Sequence, residues 1–520
     1  MMEEPLSPLP FPRHLDRPAF VALLGVALGL VAFGSSSVLL WSGVLALSGL
    51  LLSGLYRLLA KTSSAAGALR VLRSSLPSFA VACFVGAAFG PFAAERTRDR
   101  LLFPDETLLC GQRIEILYPV SAHRSSPLQY AALIRQEGRE MKVLLRPRDG
   151  KKLENGYGVS FLGDLTLSSL TDGTSYHRYL LSEGYWATGF FMPRTEPVRA
   201  ADPPTGVRLQ SLRESVVQDF VRKSAPFLSP DEQGLVVALS LGDRSRLQKA
   251  DRDDFTNAGL AHIMAVSGYH LGVVFFLLGA LLKRLLWPHR VRALRYTLLA
   301  IGLLLYTLLT GAATATVRAL VMSTLILLGK TMGRRTDAVQ LMSLTLLLFL
   351  LFEPLSFLSV GLVLSLGAVW GILSFLPLFQ RLFRPSFRVL GWFRDAFFVT
   401  LSAQIALLPL LFFYFSKLQL SVFWSNIPLV LLSAVLIPYG LFAVFLSSLL
   451  GGVVPGLLYP PLGELASWML GLTHFFGGDG NALTVQGDWS LFMVIAYYAA
   501  LVIVQKLAVS LLNRRLSYPA

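Results

Sequence analysis

Cysteine, histidine and charge are all scarce in this sequence. It has two cysteines and seven histidines in 520 residues, and only 15% of its residues are charged. Cys83 and Cys110 are too few to staple a disulfide framework or build a cysteine metal site. Acidic residues are outnumbered by basic ones, 31 to 46, which leaves a formal net charge of +15. A phosphate-cradling loop is also missing. Thr324 to Thr331 ends in Gly329-Lys330-Thr331, but it opens on threonine instead of glycine and follows an apolar run, not a strand. No metal or cofactor is expected.

What the chain has is apolar length. Hydrophobic residues make up 54% of it, and the mean hydropathy is +0.59. That excludes an ordinary soluble protein. Runs near the roughly 20 residues that cross a bilayer occur at 19–35, 38–60, 77–94, 257–286, 294–312, 313–330, 337–352, 355–377, 395–415, 421–450, 453–476 and 489–508. Alternate gaps, beginning with the N-terminal segment and ending with the C-terminal one, hold 21 basic and five acidic residues. That surplus accounts for the whole net charge, so the charge is a positive-inside signal and not evidence of nucleic-acid binding. It predicts about twelve transmembrane helices with both termini cytoplasmic. The first run lacks a small-x-small cleavage site and reads as an anchor.

The expected organisation has four parts. Residues 1–94 form an anchor of about three helices, and residues 95–205 an extracytoplasmic soluble domain. Residues 206–256 form amphipathic linker helices, and 257–520 the main membrane domain. The soluble segment reads as β, with strands near 112–118, 128–136, 140–147, 157–167 and 185–192. Its size suits a small closed barrel of the oligonucleotide-binding (OB) type. Arg135, Arg139, Lys142, Arg146, Arg148, Lys151 and Lys152 crowd one hairpin, with Tyr130 and Tyr157 nearby. Basic groups beside aromatics hold single strands by phosphate contact and stacking; a charged edge that deters aggregation is the other reading. Downstream, 207–223 is amphipathic and fits an interfacial helix. Ser229-Pro230-Asp231-Glu232 is a helix start, and Leu235 to Leu241 is too short to span.

Intramembrane polar residues mark candidate sites because each is costly in hydrocarbon. His262, Ser267 and His270 fall within roughly 140° on one side of a helix over 257–286. Ala261, Ala265, Gly268 and Gly272 line the opposite side, a stripe suited to close packing. The His-Ser side would line or brace a path inside a bundle. Arg318 follows small residues from Gly311, and either snorkels outward or faces an anion in the interior. Gln404 and Asn426 accompany prolines at 409, 428 and 438 that free backbone carbonyls. Two other classes stay open. A secondary transporter for a small anion would use the same arginine and broken helices. An intramembrane serine protease would pair Ser267 with His474.

The stretch Phe255-Thr-Asn-Ala-Gly-Leu-Ala-His-Ile-Met-Ala-Val-Ser-Gly-Tyr-His-Leu-Gly-Val-Val274 resembles the hallmark of the ComEC family of competence DNA-uptake channels. In the family's order come Leu241-Gly242-Asp243-Arg244 before it, and Gly311 to Ala319 and 400–440 after it. Tyr176, Tyr179-Leu180 and Gly184-Tyr185-Trp186-Ala187 resemble the end of the family's OB-like domain. Tyr269-His270 departs from the usual Leu-His, and 355–368 matches only loosely. No His-x-His pair occurs, so the metal motif of the nuclease domain carried by many members is missing. The resemblance implies a non-enzymatic cell-membrane channel that passes single-stranded DNA inward. A separate receptor, a nuclease and a cytoplasmic motor or strand-binding protein would serve it.

Overall fold

The computed structural model describes residues 107–121, 129–136, 139–150, 153, 158–170, 175–199, 205–286, 291–333, 338–352, 359–382, 388–450, 453–478 and 484–517. The three expected N-terminal spans, Lys151 and Lys152 lie outside these residues. The chain forms two compact units, one of 1–96, 336–418 and 484–520, the other of 97–335 and 419–483. The expected membrane domain, 257–520, is therefore divided between the two.

In the second unit, the segment read as β does form a barrel. Its strands are β1 (Thr107–Ser121), β2 (Gln129–Gln136), β3 (Arg139–Pro147), β4 (Val159–Ser168), β5 (Ala187–Pro193) and the short β6 (Val198–Arg199). The order β1-β2-β3-β5-β4 closes through a β1–β4 pairing, and only β3–β5 is parallel. Closure removes the exposed edges that an open five-stranded sheet would leave. β1 is long enough to pair on both sides because it bends. Gly111 adopts φ 65°, and the β1–β4 register shifts between Leu109 and Gln112. Alternate residues point inward, and Ile114, Ile116, Tyr130, Ile134, Val143, Leu145, Phe161, Leu165, Leu167 and Phe191 fill the interior. Tyr130 is buried to 1% exposure, and its hydroxyl accepts from Leu153 N at 3.0 Å. Helix α1 (Ser175–Ser182) lies between β4 and β5 in the chain.

Helix α2 (Thr205–Ser224) follows the barrel. It buries Val217 and Phe220 in a core shared with α11 (Val422–Leu450) and α12 (Val454–Gly477). Its apolar side is thus covered by protein. Helix α3 (Pro230–Val236) begins at the expected signal. Ser229 N donates to Glu232 Oε2 at 2.7 Å, and Glu232 N donates to Ser229 Oγ at 3.3 Å. This reciprocal cap starts a segment that continues as a π-helical turn, Val237–Leu241, with all five residues buried. The turn packs on α11, where a Cβ on Gly440 would fall 2.4 Å from Ser240 Oγ. The run that is too short to span is therefore core. Helices α4 (Lys249–Asn257), α5 (Gly268–Leu285), α6 (Arg292–Leu309) and α7 (Thr314–Thr331) complete this unit.

The first unit contains α8 (Ala338–Phe352), α9 (Val360–Leu382), α10 (Arg388–Phe415) and α13 (Leu491–Ser517). A Cβ on Gly371 would lie 2.4 Å from Ser402 O, so glycine is what lets α9 approach α10. Pro409 cannot donate to Ile405 O, and Tyr497 Oη donates to that carbonyl at 2.9 Å. Tyr498 Oη donates to the next carbonyl, Ala406 O, at 2.7 Å. Among the described residues six helices are long and apolar enough to cross a membrane. They are Gly268–Leu285, Arg292–Leu309, Val360–Leu382, Phe393–Phe415, Val422–Leu450 and Leu491–Leu511. The segments 313–330, 337–352 and 453–476 also form helices but fall outside this set.

Candidate functional site

The expected continuous helix over 257–286 is broken. Helix α4 stops at Ala258, Gly259 adopts φ 80°, and a single turn covers Ala261–Met264. Ala265 is extended at ψ 129°, Ser267 is the N-cap, and α5 starts at Gly268. The cause is local. Only glycine takes the left-handed turn without steric cost, and serine at an N-cap competes for the backbone. The interruption persists because neighbours hold its carbonyls. Ser425 Oγ donates to Ala258 O at 2.6 Å, and Thr316 Oγ1 donates to Val266 O at 3.4 Å. Irregular backbone is tolerated at membrane depth only when protein or water satisfies it in this way.

The break redistributes the predicted faces. Ala261, Ala265, Gly268 and Gly272 do not run along one helix. A Cβ on Gly268 would make an ordinary 3.6 Å contact with Ala319, and one on Gly272 would meet nothing within 4 Å. Close approach falls instead to Gly259, where a Cβ would lie 2.7 Å from Val422 Cβ, and to Gly242, where one would lie 2.7 Å from Val266 Cγ2 and 2.9 Å from Thr310 O. His262 is separated from its partners by the break and is exposed. His270 is fully buried in the first turn of α5. Its Nδ1 accepts from Ser267 N at 3.4 Å and lies 3.3 Å from Ser267 Oγ. An amide can only donate, so the proton of the neutral ring sits on Nε2, which is buried without a partner. Ser267 is thus a helix cap braced by His270. His474, its expected partner as a base, bonds Asp254 Oδ2 at 2.9 Å.

Three segments far apart in sequence converge here. Leu241-Gly242 packs against Val266 and Thr310, and Arg213 Nε donates to Leu241 O at 3.2 Å. The Arg213 guanidinium also lies against Gly311, whose φ is 85°. Ala312 follows at φ 50°, an unusual conformation for a residue with a Cβ. Together, Gly311 and Ala312 turn the chain from α6 into α7. Arg318 is half-buried one turn inside α7. The barrel supplies negative charge to this end of the helix. Thr314 Oγ1 donates to Glu183 Oε1 at 3.1 Å, and Glu183 lies within electrostatic reach of Arg318. Sequence reasoning missed Glu183 and Arg213, because nothing in their local pattern points to a helix so distant in the chain. Asn426 is half-buried on α11, next to Ser425. Gln404 belongs to the other unit, half-buried on α10, and its Oε1 has no hydrogen-bond partner.

The basic hairpin is partly neutralised from within. Arg135 is paired with Glu140 across β2–β3. Lys142 Nζ donates to Glu183 O at 3.2 Å and sits 4.1 Å from the centre of the Tyr185 ring. Arg146 lines a cleft on the barrel's outer surface, Arg148 is exposed, and Arg139 opens β3. Elsewhere on the barrel, hydrogen bonds from Arg194 and from Gly111 N–H hold the Asp164 carboxyl below its ordinary pKa.

The broken helix, its flanking turns and the later helices fall within one family model, described as Competence protein, that matches residues 239–509. The chain belongs to the Competence protein family. Curated relatives agree. Recombination protein 2 of Haemophilus influenzae is 29% identical over 339 residues, 63% of this chain and 40% of the relative. ComE operon protein 3 of Bacillus subtilis is 25% identical over 366 residues, 65% of this chain and 43% of the relative. Competence protein ComA of Neisseria gonorrhoeae is 32% identical over 253 residues, 47% of this chain and 34% of the relative. The chain thus spans less than half the length of the curated relatives it matches. No solved structure matches it. The family match covers all three converging segments and leaves out the barrel.

Proposed function

We propose that this family member is a conduit, not a catalyst, that passes single-stranded DNA inward across the cytoplasmic membrane during natural transformation. One observation carries the reading: the convergence of the 241–244 turn, the 258–267 break and the 311–319 turn beside Arg318, with the barrel's Glu183 seated on it. Such a junction of interrupted helices and a half-buried cation suits an anionic polymer moving through a bundle. In this reading the chain spans about twelve times with both termini cytoplasmic, and the barrel is an extracytoplasmic OB-type receiver. His262, Ser267, His270, Arg318 and Asn426 line or brace the path in their unit, and Gln404 is a bracing residue within the other. A separate receptor and nuclease deliver the strand. With a negative interior, each inward phosphate costs about 2.3 kcal/mol per 100 mV, so a cytoplasmic motor or strand-binding protein must pull.

The test is deletion of the gene in a competent host, followed by measurement of labelled DNA reaching the cytoplasm. Loss of cytoplasmic label with surface binding retained is the expected result; unchanged uptake refutes the reading. Transport of a small anion, which would use the same arginine, predicts saturable solute flux and intact DNA uptake in the deletion strain.

A further inference from the structure

The outer surface of the barrel carries a cleft that the basic-hairpin reading did not anticipate. Outward side chains of adjacent strands meet in two rows, because β3 pairs with β5 as Leu144↔Thr188 and Arg146↔Phe190. β4 continues these rows with Ser168 opposite Thr188 and Thr166 opposite Phe190. The N-terminal turn of α1 overhangs the first row with Tyr176 and His177, enclosing a cleft of about 260 Å³. That volume is just under the ~300–1,000 Å³ of sites for drug-sized ligands, so it suits one monomer of a polymer better than a whole ligand. A water-soluble surface ordinarily gains nothing from exposing large rings. Yet Phe190 is 47% exposed and Tyr176 is 45% exposed at this cleft.

Among the described residues, Arg146 is the arginine that lines the cleft, and it is held in place. With the Gln129 amide oriented so that its oxygen faces Arg146, that oxygen accepts from Nε at 2.9 Å and from Nη2 at 2.5 Å. The amide nitrogen then faces Tyr176 Oη, 3.3 Å away. One edge of the guanidinium is thereby used, and among the described residues nothing pairs with Nη1. By contrast, Arg135 and Lys142 of the hairpin are engaged by Glu140, Glu183 and Tyr185.

We propose that this cleft is a nucleotide subsite for single-stranded DNA, with Phe190 as the stacking surface for one unpaired base and Arg146 as the contact to its phosphate. The proposal rests on the conduit reading and locates where the barrel first holds the strand. A ring without paired donors and acceptors stacks on any base, so the subsite is sequence-tolerant. A duplex, whose bases are already stacked, cannot use it.

The test uses the full chain in lipid nanodiscs, titrated with an oligo-dT strand and with an abasic phosphodiester strand of the same length. Phe190→Ala is expected to weaken oligo-dT binding about tenfold and to leave the abasic strand unaffected; Phe190→Trp is expected to restore it. Arg146→Ala should weaken both strands. Photocross-linking of a strand carrying 5-iododeoxyuridine should place the adduct in β5 or α1. If the wild type binds oligo-dT and Phe190→Ala binds it equally well, or if adducts map only elsewhere, the cleft is refuted while the conduit stands. If the wild type binds neither strand, both fall. Phe190→Trp keeps the outcome readable should Phe190→Ala disturb the barrel.

Discussion

Replacing Glu183 by Gln tests whether charge seats the barrel on the helical bundle. The substitution keeps side-chain length and an oxygen for the Thr314 hydroxyl, 3.1 Å away, but removes the negative charge near Arg318. A hydrogen bond to a charged acceptor contributes about 1.5–3 kcal/mol, and a neutral one about 0.5–1.5. The bond alone therefore loses about 1 kcal/mol. The half-buried Arg318 loses a countercharge as well, so the total is about 1–3 kcal/mol, a shift of roughly 5- to 150-fold in the seated fraction. The Lys142 bond to the Glu183 backbone carbonyl is untouched by the change. Spin labels at Arg148 and Lys249, both exposed, would report the barrel-to-bundle distance once Cys83 and Cys110 are replaced by serine. The wild type should give a narrow distance distribution and Glu183→Gln a broad one. Thr314→Ala, which keeps the charge, should give an intermediate result. Identical distributions for Glu183→Gln and the wild type would refute the electrostatic seat.

Other predictions follow from single contacts. Asp251 on α4 is half-buried and its Oδ2 has no hydrogen bond; burial, then the charges of Asp231 and Asp254, raise its pKa above 3.8. A raised folded-state pKa favours the protonated form, so the ionised carboxylate costs stability as pH rises through that value. Asp251→Asn should therefore raise the melting temperature at neutral pH, and the gain should vanish below pH 3.8. Gly189→Ala places a Cβ 2.1 Å from Thr166 O and must part β4 from β5. It should destabilise the barrel by about 1–3 kcal/mol or more, read by denaturant titration of intrinsic fluorescence. Tyr269→Phe removes a hydroxyl that donates to Val430 O at 2.8 Å and lies 3.1 Å from Ser433 Oγ. The loss should be about 0.5–1.5 kcal/mol in thermal melts, without loss of assembly.

The chain's local chemistry was legible wherever it was strong. The five strand segments could be read because alternation with a period of two survives in any barrel that buries one face, and the closed barrel follows them closely. The α3 start was legible because the Ser229–Glu232 cap uses only neighbouring atoms. Apolar length marked the chain as membrane-spanning, as the six qualifying helices reflect. The motif at 255–274 pointed to the family.

Local patterns could not say where the long apolar stretch from 257 would break. A 3.6-residue period is satisfied by a continuous helix as well as by two shorter ones. The choice rests on Val422, Ser425 and Thr316, which crowd Gly259 or bond the freed carbonyls. Nor could they say which basic residues of the hairpin remain available. Cross-strand register and a distant turn pair Arg135 with Glu140 and Lys142 with Glu183, while β5 brings Phe190 beside Arg146. Sequence alone thus determined the barrel strands, the α3 start, the apolar character of the chain and the family, because caps, periodicity and hydropathy are short-range properties. Only the tertiary structure decided where the helix opens, which carboxylate lies near Arg318 and which cations of the hairpin are already engaged. Those outcomes depend on contacts between residues brought together only when the chain packs.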